Sequence, residues 1–275
     1  MIQKIRISII LGWILKTAMI IIFIFPFLWM IITAFKTYDE TIIFPPTLIP
    51  QSIQWINFET VWESGPYLSY LKNSLVITFS ILSVQLIVMV PAAFSFARYK
   101  FKGNGLLFGL IMIAFMIPSQ ITFVSIYFMF AKLGWMRTLL PQILPFGANA
   151  FGIFLLRQSF KQVPDEILES ARLDSATELQ LLGKVMLPMA KPTLISIMML
   201  SFISHWNDYF WPFVMTNSIE VRPLTIGIAA LRSIEGAFDW HIIMAGNVIL
   251  VMPIILVYLF FNKKIVNAFV YNGIK

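Results

Sequence analysis

The sequence predicts an all-α membrane protein with six transmembrane helices, and three observations lead to this class. Of the 275 residues, 59% are apolar and only 12% are charged, whereas an average soluble domain is about 45–50% apolar and about 25% charged. The chain therefore has too few charges to cover a water-exposed surface. Its apolar residues also form uncharged runs of about 20 residues, the length of helix that crosses about 30 Å of hydrocarbon.

Cutting the chain at its charged residues gives six candidate spans. They are approximately residues 17–35, 73–97, 106–131, 138–156, 193–215 and 240–262. The third lies in a stretch longer than one span requires, so we expect its helix to start near Leu106 or to tilt. The fourth contains Pro141, Pro145, Gly147 and Gly152, and we expect it to be bent or partly unwound because proline removes a helical hydrogen bond.

The N-terminal segment resembles a secretory signal in one respect, because basic residues precede an apolar run. A signal core has about 7–15 residues, whereas the run at 17–35 is longer and lacks a small-residue cleavage site. We therefore expect an uncleaved first span.

The distribution of basic residues predicts the orientation. Of the 20 Lys and Arg side chains, 14 fall on one side of the six spans and six on the other, and the side richer in Lys and Arg is cytoplasmic. Residues 1–16, the loop 157–191 and the tail 263–275 are therefore expected in the cytoplasm. This asymmetry explains the net charge of +7, so we expect no nucleic-acid partner.

The loop 157–191 is the strongly charged segment of the chain. It carries ten charges, five of each sign, and its pattern predicts two short helices. We expect Asp165 to cap the first helix and Glu169 to pair with Arg172 on its surface. We expect Asp174 to end the first helix and to cap the second.

The second helix of this loop is predicted to have one apolar face and to end before the fifth span, at Pro188 and Pro192. Its apolar residues are Leu179, Leu182, Val185 and Met186. A helical hairpin of this kind docks in a groove on another protein. A helix lying on the membrane surface would instead have a strongly basic face, and the balanced charges here favour docking.

The same segment carries a recognisable motif. Residues 169–176 read E-S-A-R-L-D-S-A, and Leu187, Pro188 and Pro192 follow. This resembles the EAA loop of ABC importer permeases, which usually reads E-A-A-x-x-D-G-A and continues to L-P-x-x-x-P. The chain departs from that pattern at two positions, where Ser170 replaces an alanine and Ser175 replaces the glycine of the turn.

Further matches extend from about Phe25 to Lys275. They are Asn73-Ser74-Leu75, Ala92-Ala93-Phe94-Ser95-Phe96-Ala97-Arg98, Trp206-Asn207-Asp208, Pro223-Leu224 and Gly273-Ile274-Lys275. Together these motifs resemble the maltose-type carbohydrate importer subfamily, specifically the G-type half of a heterodimeric permease. The resemblance implies the MetI-like bundle of a type I ABC importer with a cytoplasmic coupling helix, in a bacterial or archaeal cell membrane.

The resemblance also implies partners. They are a second homologous permease subunit, two copies of a cytoplasmic ABC ATPase, an extracytoplasmic solute-binding protein and the lipid bilayer. ATP and Mg would bind to the partner ATPase, and no cofactor is expected on this chain. The sequence independently contains no G-x-x-x-x-G-K-[S/T] phosphate-binding loop, so it is expected to be non-catalytic and to depend on a separate ATPase.

By resemblance, the loop is the element that couples ATP hydrolysis to transport. Glu169 would pair with a basic residue of the ATPase, and Ala171, Asp174, Ser175 and Ala176 would form the turn that enters its cleft. The full coupling set is Glu169, Ser170, Ala171, Asp174, Ser175, Ala176, Leu187 and Pro188.

Asp208 is the one acid within a predicted span, and an ionisable group there is a functional hypothesis by default. The alternative is that it marks the helix end at the aqueous boundary. Its neighbours His205, Trp206 and Asn207 combine aromatic and polar groups, which suit sugar binding. For the adjacent Tyr209 and Trp211, an aromatic belt at the membrane interface is the favoured explanation.

Two further predictions concern the solute path and the outer loop. Gln120 and Asn149 lie near the middle of spans three and four, where each either lines the path or bonds a neighbouring helix. By resemblance, the loop 216–239 touches the binding protein through its tip, and the segment 269–275 touches the ATPase pair. The tip residues are Ile234, Glu235, Gly236 and Ala237.

Other function classes fit less well. An ion-coupled secondary transporter needs several buried ionisable residues, and only Asp208 is available. Without cysteine, an H-E-x-x-H motif or more than two histidines, neither catalytic residues nor a metal site is expected. Among ABC importers, the closest rival solute is of the glycerol-3-phosphate type, whose phosphate favours Lys or Arg facing the path, and none lies mid-span.

Overall fold

The computed structural model describes the backbone of residues 2–233 and 239–271, and the side chains of residues 12–118, 121–232 and 239–260. Every regular element in these ranges is helical, which confirms the all-α class. The helices are α1 (Ile2–Ala34), α2 (Tyr38–Ile42), α3 (Ile56–Glu63), α4 (Tyr67–Arg98), α5 (Asn104–Met116), α6 (Ser119–Lys132), α7 (Leu140–Ile143), α8 (Ala150–Lys161), α9 (Asp165–Leu173), α10 (Glu178–Met189), α11 (Lys191–Trp206), α12 (Phe210–Met215), α13 (Leu224–Ala230) and α14 (Trp240–Tyr271).

Three helices are long and apolar enough to cross a bilayer: α1 over Gly12–Ala34, the whole of α4, and α14 over Trp240–Phe260. They correspond to the predicted first, second and sixth spans. Many large apolar side chains on them are exposed, such as Phe23 at 72% and Phe260 at 79%. Such surfaces are stable only against lipid or another protein.

The predicted third span is two helices rather than one. α5 begins at Asn104 and ends at Met116, and the axes of α5 and α6 differ by 96° across the intervening break. Pro118 lies in this break, and its ring and missing N–H prevent the helix from continuing. The expected single helix starting near Leu106 is therefore wrong in shape, although its residues are helical on both sides of the proline.

The predicted fourth span is unwound in the middle, as its prolines and glycines indicated. α7 is followed by a 3₁₀ turn at Leu144–Phe146, and α8 begins only at Ala150. Gly152 allows α8 to approach its neighbours closely, because a Cβ at this position would clash with Met89 and Ile197.

The predicted fifth span is interrupted at 207–209, between α11 and α12. At its other end, the axes of α10 and α11 differ by 80°. The break falls at Ala190, two residues before Pro192 in the first turn of α11. Of the six predicted spans, the third, fourth and fifth are therefore broken helices, and only the fourth was expected to be so.

The chain divides into two compact units, residues 1–68 with 227–253 and residues 69–226 with 254–275. In the first unit, the amide of Asn57 donates to the carbonyls of Ala34 and Lys36 at 2.9 and 2.8 Å. The hydroxyl of Tyr67 donates to Gly227 O at 2.9 Å. The Asn57 bonds hold α3 against the end of α1, and the Tyr67 bond joins the start of the chain to the segment after residue 226.

In the second unit, one hydrophobic core joins α4, α8, α9, α10 and α11. Its buried members include Ala93 of α4, Leu156 of α8, Leu168 of α9, Met186 of α10 and Ile197 of α11. The charged loop thus packs directly on the long helix α4 and on α8.

Candidate functional site

The charged loop folds as a helical hairpin, formed by α9, a turn and α10 (residues 165–189). Its helix ends differ from those predicted. Asp165 opens α9 without capping it, and its carboxylate instead accepts a hydrogen bond from Arg98 at 2.5 Å. Asp174 ends α9 as predicted, but the cap of α10 is Thr177, which forms a reciprocal capping box with Gln180.

The turn of the hairpin depends on Ser175. Its φ of 61° lies in the left-handed region, where a residue with a Cβ is strained and glycine is favoured. Ala176 N–H donates to Ala171 O at 3.1 Å, and Ser175 N–H donates to Arg172 O at 2.9 Å. This is a Schellman motif, so Ser175 adopts the left-handed backbone conformation that glycine favours.

One face of the hairpin is buried and its tip is not. Leu168 is 3% exposed, and Leu181 and Met186 are fully buried. Leu179, expected on the apolar face, is instead 82% exposed, and Leu173 on the other side of the turn is 86% exposed. The tip of the hairpin therefore presents two exposed leucine side chains beside its charged residues.

The charges on the hairpin are also arranged differently from the prediction. Arg172 pairs with Glu178 across the turn at 3.3 Å rather than with Glu169. Glu169 is exposed and has no ion pair or hydrogen-bonding side-chain partner among the residues whose side chains are described. Ser170, Asp174 and Pro188 are likewise exposed, whereas Ala171, Ala176 and Leu187 are half-buried against the core.

Two residues at the end of α4 hold the hairpin in place. The guanidinium of Arg98 donates to Asp165, to Phe160 O at 2.5 Å and to Val163 O. The Tyr99 hydroxyl donates to the Glu178 carboxylate at 2.5 Å. Partial burial, together with this carboxylate, raises the pKa of Tyr99 to about 12.

The anchoring role of Arg98 was not predicted, although the residue closes one of the quoted motifs. In the sequence, Arg98 counted only as one of the basic residues that indicate which side of the membrane is cytoplasmic. Its side chain is only 9% exposed, and no sequence pattern indicates that it reaches the carbonyl groups that end α8, more than 60 positions away.

A cavity of about 620 Å³ opens in the same unit, among α4, α5, the unwound segment before α8, and α11. Its lining is apolar with a few polar groups: Gln85, Val88, Ala92, Ile111, Ala114, Phe115, Pro145, Phe146, Ala148, Asn149, Ala150, Ile153 and His205. No Lys, Arg, Asp or Glu is among these lining residues. Such a cavity suits an uncharged ligand that presents both apolar faces and hydrogen-bonding groups.

Gln85 organises the polar groups of this cavity. It is 2% exposed, its amide donates to Phe146 O at 2.9 Å, and its carbonyl accepts from Ser201 at 2.7 Å. Asn149 and His205 each lie 3.5 Å from the Gln85 amide group. Gln85 was missed in the sequence, although it is the one amide between Ser74 and Ala97 and the argument applied to Asn149 would have found it.

The six residues predicted to line the solute pathway do not lie together in the structure. Asn149 and His205 line the cavity. Trp206 is 1% exposed and its ring stacks on Phe202 at 5.6 Å. Asn207 and Asp208 lie at the interruption between α11 and α12, outside the lining.

At this interruption, the Asp208 carboxylate accepts the Trp211 N–H at 3.3 Å, which fits the reading of Asp208 as a helix-end residue. The Trp211 ring donates to Pro141 O at 2.9 Å and is 4% exposed, so it is a core residue rather than part of an aromatic belt. Tyr209 is 45% exposed.

Some predicted residues lie outside the described ones. They are the Gln120 side chain, the loop tip Ile234, Glu235, Gly236 and Ala237, and, in the tail, the side chains of 269–271 and all of 272–275. Among the described side chains, no group of three or more His, Asp or Glu could hold a metal ion.

Comparisons with known proteins place these features in context. Residues 89–270 match the family model described as binding-protein-dependent transport system inner membrane component. The chain is 30% identical to the arabinooligosaccharides transport system permease protein of Halalkalibacterium halodurans, over 99% of this chain and 100% of the relative. It is also 30% identical to the sn-glycerol-3-phosphate transport system permease protein of Yersinia pestis, over 84% of this chain and 86% of the relative.

A solved structure shares the fold. A chain of a bacterial ABC transporter involved in the import of the acidic polysaccharide alginate superposes with a TM-score of 0.84 and 23% identity, covering 94% of this chain and 96% of that chain. At this identity the likeness concerns the fold alone.

Proposed function

The chain belongs to the family of binding-protein-dependent transport system inner membrane components, and on that premise we propose that it forms half of the pathway by which an ABC importer carries a carbohydrate. The fold is that of a MetI-like type I importer permease. The observation that carries the proposal is the hairpin: a rigidly anchored element whose tip exposes Glu169, Leu173 and Leu179.

The proposed coupling step follows from this geometry. An ATPase subunit covers the exposed leucines of the tip and pairs a basic residue with Glu169, which has no partner of its own among the described side chains. Burying two leucines is worth about 1.5–3 kcal/mol each. Because Arg98 and the shared core hold the hairpin on α4 and α8, a displacement of the hairpin moves these helices with it.

The proposed topology retains six crossings, of which α1, α4 and α14 are continuous. The bent pair α5 and α6, the unwound α7–α8 segment and the interrupted α11–α12 segment supply the other three. Residues 1–16, the coupling loop 157–191 and the tail 263–275 face the cytoplasm. Broken helices are tolerated in a membrane where they are buried in protein or line a cavity, and the segment before α8 lines one.

The proposed assembly contains a second homologous permease subunit, two copies of an ABC ATPase that bind ATP and Mg, and an extracytoplasmic solute-binding protein. Residues 234–237 touch the binding protein and 269–275 the ATPase pair. The chain itself is non-catalytic. Its family is named for dependence on a binding protein, which supports that partner.

The cavity favours a carbohydrate over a phosphorylated solute. Gln85, Asn149 and His205 supply hydrogen-bonding groups, and Phe115 and Phe146 supply aromatic faces. A phosphate favours Lys or Arg at its site, and the lining has neither. One relative is named for arabinooligosaccharides and one for sn-glycerol-3-phosphate, so both solutes are the candidates to compare.

The coupling role is tested by charge reversal at Glu169. Glu169→Lys is expected either to abolish co-purification of the ATPase or to abolish transport while the complex stays intact. In both cases the chain still inserts into the membrane. The matched control is Glu166→Lys, an exposed acid on the same helix outside the motif, which should retain more than half of the uptake. Equal uptake by Glu169→Lys and the control would remove the coupling proposal.

The solute is tested in vesicles that hold the complete transporter. Uptake of a labelled arabinooligosaccharide is expected to exceed uptake of sn-glycerol 3-phosphate, and Asn149→Leu should reduce it. The matched control is Asn207→Leu, at the interruption between α11 and α12 and outside the lining. Preference for the phosphorylated solute would reverse the assignment.

A further inference from the structure

A second cavity, of about 300 Å³, lies within the unit formed by residues 1–68 and 227–253. Its lining is Trp29, Thr33, Lys36, Glu40, Thr41, Pro46, Trp240 and Met244. Unlike the cavity near Gln85, it contains charged side chains. It lies where the apolar helix α1 ends, since Thr33 is in its last turn and Lys36 is two residues beyond it.

Lys36 is the unusual residue of this cavity, because it is a charged side chain that is only 1% exposed. Its ammonium group donates to Thr47 O and lies 4.8 Å from the centroid of the Trp29 ring. It forms no ion pair within 4.0 Å with an acid among the described side chains. An ammonium group carries three donors, so Lys36 retains hydrogen-bonding capacity, and a buried cation without a counterion is costly.

Glu40 lines the same cavity, but its carboxylate forms no ion pair with Lys36 within 4.0 Å. Its carboxylate accepts the Gln51 N–H at 2.7 Å, the Thr37 N–H at 2.9 Å and the Thr37 hydroxyl at 3.2 Å. These bonds, with a smaller contribution from the charge of Lys36, lower the pKa of Glu40. Both carboxylate oxygens of Glu40 therefore already accept hydrogen bonds from the segment that follows α1.

Thr33 adds a second unused group. It is 5% exposed, and its hydroxyl oxygen has no hydrogen-bond partner in the part of the chain that the structure describes. Buried hydroxyl groups are normally paired, and an unpaired one costs about 1–3 kcal/mol. The cavity thus contains an ammonium group and a hydroxyl group that can each donate a further hydrogen bond, whereas its carboxylate already accepts hydrogen bonds from Gln51 and Thr37.

We propose that this cavity binds a phosphate group, with Lys36 and Thr33 as its donors. A phosphate has several acceptor oxygens and a negative charge, so it can accept hydrogen bonds from both the Lys36 ammonium and the Thr33 hydroxyl and can pair with the charge of Lys36. Two sources have this chemistry: the headgroup of an anionic phospholipid and soluble phosphate. The exposed apolar surface of α1 below the cavity and the Trp29 and Trp240 rings beside it favour the lipid, because tryptophan is enriched at the level of lipid headgroups.

The site is independent of the solute that the protein carries, so its failure would leave the proposed function untouched. The experiment uses the delipidated full-length chain in detergent. It is titrated with dioleoyl phosphatidylglycerol, with dioleoylglycerol, which has the same acyl chains without phosphate, and with inorganic phosphate. Binding is followed by native mass spectrometry for the lipids and by tryptophan fluorescence for all three.

Three variants accompany the titrations. Lys36→Met is expected to weaken phosphatidylglycerol binding about tenfold or more, because a charge-assisted bond is lost. Thr33→Val keeps the side-chain shape and should weaken it about threefold, so the proposal stays testable if Lys36→Met does not fold. Lys72→Met removes an exposed lysine that is not in the lining and should bind as the wild type does.

The outcomes are distinct. Tight phosphatidylglycerol binding with weak dioleoylglycerol binding supports a lipid phosphate, and equally tight binding of inorganic phosphate supports a soluble one. The proposal is overturned if neither phosphate compound binds, if dioleoylglycerol binds as tightly as phosphatidylglycerol, or if Lys36→Met and Thr33→Val bind as the wild type does.

Discussion

The helical hairpin 165–189 and the cavity around Gln85 belong to the same compact unit but are built in different ways. The hairpin is one continuous stretch, 165–189, whose turn and helix ends are closed mostly by residues a few positions apart. The cavity is assembled from α4, α5, α8 and α11 and the unwound segment before α8. Local sequence patterns therefore describe the hairpin well and the cavity poorly. The hairpin is linked to distant residues through the core that it shares with α4, α8 and α11, through the Tyr99–Glu178 bond and through the anchor at Arg98.

Removing that anchor is expected to have the largest effect. Arg98→Ala should lower the free energy of unfolding by about 3 kcal/mol, because two backbone carbonyls lose a charged and largely buried donor. Asp165→Asn should cost only about 0.5 kcal/mol, because the Asp165 side chain is 78% exposed and exposed ion pairs contribute little. Thermal unfolding in detergent and proteolysis of the hairpin measure both. Equal losses would mean that the ion pair, not the carbonyl bonds, holds the hairpin.

The cavity network is expected to be next in size. Gln85→Leu should lower stability by about 2 kcal/mol, because Ser201 and the Phe146 carbonyl lose their partner in a buried site, and it should also reduce solute uptake. Gln158→Leu, at an exposed position on α8, is the control and should change neither property. A stable Gln85→Leu protein with unchanged uptake would separate this network from the solute path.

The turn of the hairpin offers a stabilising change. Ser175→Gly should raise stability by about 1 kcal/mol, because glycine adopts the left-handed conformation without strain. Ser175→Val should lower it, since a β-branched residue fits that conformation worst. Hydrogen exchange at the Ala176 N–H, which closes the turn, reports both changes. A less protected amide in Ser175→Gly would show that the serine side chain supports the turn.

The smallest effect concerns Tyr99. Tyr99→Phe should cost about 0.5 kcal/mol, because the bond to Glu178 is partly exposed to solvent. The pKa of Tyr99 is raised from 10.0 to about 12, so its contribution is complete below pH 10 and is lost as the pH rises through 12. Denaturant unfolding at pH 6 and pH 9 should give the same difference between the two proteins. A difference that shrinks by pH 9 would contradict the raised pKa.

The predictions from sequence succeeded where a signal is local and failed where it is not. The unwinding before α8 followed from two prolines and a glycine, and the end of α9 followed from Asp174. The pairing of Glu169 with Arg172 was wrong because Glu178, across the turn, offers Arg172 another carboxylate. Helical spacing assigned Leu179 to the buried face, but α10 packs through Leu181 and Met186. The rotation of α10 about its own axis is set by the core that these two side chains enter.

Composition and order along the chain alone determined that this protein is helical, enters a membrane and carries a charged helical hairpin, because apolar content, uncharged runs and turn residues act over short distances. The tertiary structure decided what Arg98 holds, which polar residues meet around Gln85, and that Lys36 is buried with no ion pair within 4.0 Å among the described side chains. Those contacts join residues far apart in sequence, and their energies exist only once helices pack and exclude water.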